Sequence, residues 1–144
     1  MINSDTIELL KECNAGIKMG ISAIDDVLDY TENNRLRELL SKSKQEHEKL
    51  GNETRKLLND YDDSTKEPNP VAKGMSWIKT NVMLSVKPGD NTIADLITDG
   101  CNMGVKSLNK YLNKYEDAEE KAKDIAKRLI NIETGLAEEI RCFL

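Results

Sequence analysis

The chain has one histidine, one tryptophan, one phenylalanine, three cysteines and three prolines in 144 residues. Each shortage closes off something. With His47 as the only imidazole, no Ser-His-Asp or Cys-His-acid constellation is expected, because each needs an imidazole base held by a partner. An odd cysteine count without a secretory leader predicts reduced thiols in a cytoplasmic protein. The opening Met1-Ile2-Asn3-Ser4-Asp5 has neither the basic nor the apolar stretch of such a leader. All three prolines, at positions 68, 70 and 88, fall in one zone, which leaves the rest of the chain open to helices. No apolar run approaches about eighteen residues, so no membrane span is expected. No basic excess exists either. The net charge of −5 argues against a phosphate-binding surface, and no nucleic-acid partner is expected.

What is present is helical pattern. Hydrophobic residues make up 38 % and charged residues 33 %, too apolar for a disordered chain and consistent with one domain spanning residues 1–144. From about Thr6 to Tyr30, Ile7, Leu10, Ile17, Ile21, Ile24 and Leu28 recur at helical spacing, with Asn14 as the one polar member. Ser4 or Asp5 is the expected cap. After Thr31-Glu32-Asn33-Asn34, a second stripe runs to Tyr61; its ends are leucines and its middle is polar, at Ser43, His47 and Thr54. Residues 62–70 read as loop. Val71 to about Val86 reads as a short amphipathic helix ended by Lys87-Pro88-Gly89. Thr92, with Asp95 three later, is the expected cap of a third stripe to Tyr115, and Ala118 to Leu144 forms the fourth.

The expected fold is therefore all-α: a four-helix bundle of two antiparallel hairpins, 5–61 and 92–144, joined by a long crossover at 62–91 that contains a short helix. One long crossover between two hairpins is the ferritin-like order.

The halves also echo each other. Cys13-Asn14-Ala15-Gly16-Ile17-Lys18 matches Cys101-Asn102-Met103-Gly104-Val105-Lys106, and Glu53-Thr54-Arg55-Lys56-Leu57-Leu58 aligns with Glu139-Ile140-Arg141-Cys142-Phe143-Leu144. That register pairs His47 with Glu133 and reads as an internal repeat of a helical hairpin. Gly16 and Gly104 each cost about 1 kcal/mol inside a helix, and close helix approach is the expected structural return.

The stretch from Trp77-Ile78-Lys79 through Lys87-Pro88-Gly89-Asp90-Asn91-Thr92-Ile93 and Asp99-Gly100 to Ser107-Leu108-Asn109-Lys110-Tyr111 resembles uncharacterised bacterial ferritin-like four-helix-bundle domains. The resemblance covers nearly the whole chain in layout. It implies a fold and a descent from metal-binding bundles, and no activity.

A ferritin-like di-iron site takes one Glu from each of two helices and a Glu-x-x-His pair from each of the other two. Here Lys44 stands three before His47, and Leu136 stands three after Glu133 where His would be needed. The di-iron site is expected to be lost, with no cofactor in its place. Two functions then compete. In the first, a non-enzymatic cytoplasmic bundle acts through self-association, as a homodimer, or through a protein partner. Met75, Trp77, Met83 and Leu84 supply its surface, because they cannot all face the bundle. In the second, a central polar layer of Cys13, Asn14, His47, Cys101, Asn102 and Glu133 answers to a mononuclear metal or to redox state through a Cys13–Cys101 disulfide. Each of these residues also has a structural reading: Asn14 as a register device, His47 as a hydrogen-bonded core residue, the cysteines as small apolar groups.

Overall fold

Apolar residues three and four apart bury one side of a helix, and the four stripes become four helices. The computed structural model describes residues 4–61 and 89–144. Among these are α1 (Ser4–Leu28), α2 (Asn34–Asp60), α3 (Asp90–Lys114) and α4 (Glu120–Glu139), with a 3-10 turn at Ile140–Phe143 and no strand. The expected crossover helix, with Met75, Trp77, Met83 and Leu84, lies outside the described residues.

Helix ends depart from the local reading. Asn33 caps α2 in the ordinary way, its side-chain oxygen accepting from the Arg35 and Leu36 amides at 2.8 and 3.1 Å. Thr92 does not cap α3. That helix starts at Asp90, and Gly89 in the cap position has no side chain to offer. The Asp90 carboxylate instead accepts from the Glu32 and Asn33 amides, at 2.9 and 3.1 Å, in the turn between α1 and α2. Ser4 and Asp5 lie within α1. Asp5 accepts from the Asp117 amide at 3.2 Å, and the Thr6 hydroxyl accepts from the Glu119 amide at 2.8 Å, both at the turn between α3 and α4. The fourth segment is shorter than its stripe: Ala118 sits in the turn, and the α-helix tightens to 3-10 after Glu139.

These contacts set the directions. The starts of α2 and α3 share one end of the bundle. The starts of α1 and α4 share the other, where the Tyr61 hydroxyl at the end of α2 also donates to Glu119 at 3.1 Å. So α2 and α3 run parallel, each hairpin is antiparallel, and Tyr61 and Gly89 stand at opposite ends. α1 packs on all three other helices, as does α4, whereas α2 and α3 scarcely meet.

The core has two apolar halves. One gathers Leu9, Ile17, Leu50, Leu108, Ile125 and Leu129. The other gathers Ile24, Leu36, Leu40, Ile93, Ile97 and Leu136. Burying each such side chain contributes about 1.5–3 kcal/mol. Neither half includes His47, which lies buried midway along α2 with Glu133 of α4 beside it.

Candidate functional site

His47 comes from α2, where it falls on the buried stripe between Leu40 and Leu50. Its Nδ1 lies 2.7 Å from the Ser43 carbonyl one turn earlier. A carbonyl only accepts, so Nδ1 carries the proton and Nε2 faces the bundle centre. Glu133 comes from α4, between Leu129 and Leu136. Its Oε1 is 3.9 Å from His47 Nε2, too far for a hydrogen bond. His47 is 1 % exposed and Glu133 7 %. Neither Nε2 nor Glu133 Oε2 has a hydrogen-bond partner.

Two glycines make room for this pair. A Cβ on Gly20 would come 2.7 Å from His47 Nε2, and a Cβ on Gly104 would overlap Glu133 Oε2. The expected role of Gly104 in close helix approach thus becomes more specific: it vacates space on α3 for a carboxyl from α4. A Cβ on Gly16 would meet Leu129 at 3.6 Å, an ordinary contact, so that glycine is not required for space.

Above the pair lies a cavity of about 340 Å³ between α1 and α3. Its walls are built from Ala15, Gly16, Gly20 and Ala23 on one side and Gly100, Cys101, Gly104 and Ser107 on the other, with His47 and Glu133 among its lining residues. Met19 and Met103 also line it and are exposed to solvent. Glu12 and Tyr111 line it as well, and the Tyr111 pKa is raised by burial and by its hydrogen bond to Glu12. A pocket of this size, largely apolar with a few converging polar atoms, has the character of a small-molecule site.

Burial raises the Glu133 pKa, and His47 offsets part of that rise. Burial also pushes both Cys13 and Cys101 up to about 12; Glu12 adds to the first and Glu133 to the second. At neutral pH both are thiols, whereas metal binding and disulfide exchange use the thiolate.

Of the six residues expected in the layer, His47, Glu133 and Cys101 are among those lining this one cavity, each from a different helix. Cys13 is buried in the opposite core half from Cys101, and both are free thiols. Asn14 is buried with Oδ1 unpartnered, away from the cavity lining. Asn102 is exposed on α3, because one helical step past Cys101 swings it out by about 100°. Among the described residues no three His, Cys, Asp or Glu side chains gather as a metal-ligand group.

Gly20 and Met19 escaped the sequence reading, and Gly100 and Met103 were not read as site residues. A signal for them exists. Gly16-Ile-Lys-Met19-Gly20 and Gly100-Cys-Asn-Met103-Gly104 share a G-x-x-M-G pattern, one turn out of register with the Cys-Asn match. The cavity walls follow this second register.

The chain thus belongs with the all-α four-helix bundles. Its structure is similar to the crystal structure of a DUF305 fragment from Deinococcus radiodurans, with a TM-score of 0.76 and 12 % identity, covering 97 % of this chain and 95 % of that one. An identity that low establishes likeness of fold alone. No family model and no curated protein matches the sequence. No helix among the described residues is long and apolar enough to cross a membrane.

Proposed function

We propose that this chain is a non-enzymatic, ferritin-like binding protein whose mid-bundle site holds a small organic molecule where a di-iron relative would hold metal. Support for the ferritin-like order is the chain path: parallel α2 and α3, with Tyr61 and Gly89 at opposite ends. Support for a lost metal site is the missing Glu-x-x-His pairs. The observation that carries the binding role is the meeting of two unpartnered buried polar atoms with a cavity of about 340 Å³. An orphaned buried polar group costs about 1–3 kcal/mol, and a ligand that satisfies it recovers that cost on binding.

Titrating the protein with eight-carbon amphiphiles, followed through the Met19 and Met103 methyl resonances, tests this reading. One-to-one binding is expected. Gly100→Met should block it, since a Cβ at Gly100 meets nothing within 4 Å and the longer side chain extends into the cavity. No binding by any probe would end the proposal. Self-association through Met75, Trp77, Met83 and Leu84 is a separate proposal, checked by light-scattering mass with Trp77→Ala as control.

A further inference from the structure

Resting on that binding role, we propose a ligand class: an apolar molecule with one uncharged head that both donates and accepts a hydrogen bond, a hydroxyl, bridging His47 Nε2 and the Glu133 carboxyl. The argument begins with protons. The Ser43 carbonyl at 2.7 Å fixes a hydrogen on Nδ1 whatever else titrates. An unpaired charge in this layer is costly, so His47 and Glu133 together hold one further proton and no net charge.

That proton has two places to sit. On Glu133, the acid donates and Nε2 accepts. On Nε2, the imidazolium donates and the carboxylate accepts. Either way the pair presents one donor and one acceptor, with His47 Nε2 and Glu133 Oε1 separated by 3.9 Å. A single oxygen about 2.8 Å from each partner spans that gap, and a hydroxyl supplies the matching acceptor and donor. An ammonium offers donors only. A carboxylate offers acceptors only, and among the described lining residues no lysine or arginine would balance its charge. Glu12, the other carboxyl in the lining, is engaged by Tyr111. Beyond the pair, the glycine, alanine and methionine walls suit a hydrocarbon body.

Four probes of matched size separate the possibilities: octan-1-ol, its acceptor-only isomer 1-methoxyheptane, octanoate and octylammonium. Dissociation constants at pH 7 come from the Met19 and Met103 methyl shifts. Octan-1-ol is expected to bind about tenfold more tightly than each of the others, the worth of one well-made buried hydrogen bond. Glu133→Gln keeps a donor and an acceptor and should retain that preference. The double variant His47→Leu with Glu133→Leu, shown folded by circular dichroism, removes both groups that the hydroxyl would bridge and should abolish the preference while still binding. Equal binding of the alcohol and the ether, or tightest binding of either ion, overturns the ligand class and leaves the binding role standing. A preference for the alcohol that survives the double variant also overturns it. Failure of all four probes removes both proposals.

Discussion

Replacing Glu133 by Gln asks which protonation state the fold has chosen. Burial raises the carboxyl's pKa, so the folded chain keeps a proton that the unfolded chain has already released. Stability from this group is therefore greatest at or below the ordinary value of 4.5. It falls as the pH climbs toward the raised folded value and then levels off. Each unit of elevation costs about 1.4 kcal/mol above that window. Gln has the shape of the neutral acid and does not titrate. The variant should match the parent at about pH 4 and equal or exceed it at pH 7, with a change of less than about 1 kcal/mol in the unfavourable direction. Urea unfolding at both pH values, with equal slopes, measures the difference. The opposite result has a definite size. Were the pair fully ionised and strongly coupled, removing one partner would cost about 3–5 kcal/mol at pH 7 and nothing in acid. That outcome would refute the reasoning, which takes the 3.9 Å separation as too long for a charge-assisted hydrogen bond.

Three further expectations are simpler. Gly135→Ala, inside α4 with open space where the Cβ would go, should stabilise the chain by about 0.5–1 kcal/mol; a lower melting temperature would contradict it. Asp90→Ala removes the acceptor for the Glu32 and Asn33 amides and should cost about 1 kcal/mol in urea unfolding, with Asp5→Ala costing less because it loses a single bond of 3.2 Å. In a thiol titration of the native protein, exposed Cys142 should react at once and buried Cys13 and Cys101 only after unfolding; rapid reaction of a second thiol would show that one core half opens readily.

The helices were legible because their stripes are long and regular, and a regular stripe leaves few other ways to bury it. The burial of His47 was legible for a related reason: Ser43, His47 and Thr54 continue the buried stripe of α2 where leucines would otherwise stand, while an alignment of His47 with Glu133 does not by itself say that the two meet. Other features depended on contacts that no local pattern encodes. Thr92 looks like a cap, yet α3 starts two residues earlier because the Asp90 carboxylate is claimed by amides of the other hairpin. Cys13 and Cys101 align in sequence, yet they occupy different core halves because α1 and α3 start at opposite ends and each cysteine precedes its helix midpoint. Asn102 matches Asn14 in the repeat and still faces solvent. The cavity was the least legible feature. It is made by side chains that are missing, and a glycine in a helix reads first as a cost.

The contacts at the two ends of the bundle bear on how the chain folds. Asp90 on α3 closes the turn of the first hairpin, and Asp5 and Thr6 on α1 close the turn of the second. Each bend has hydrogen bonds of its own, and each is completed by side chains of the other hairpin. These bonds link groups 57 to 113 positions apart, so their chain-entropy cost is met only when both hairpins dock. Docking therefore completes both bends, and the two helical pairs are expected to lose structure together, with coincident unfolding transitions by different probes as the check.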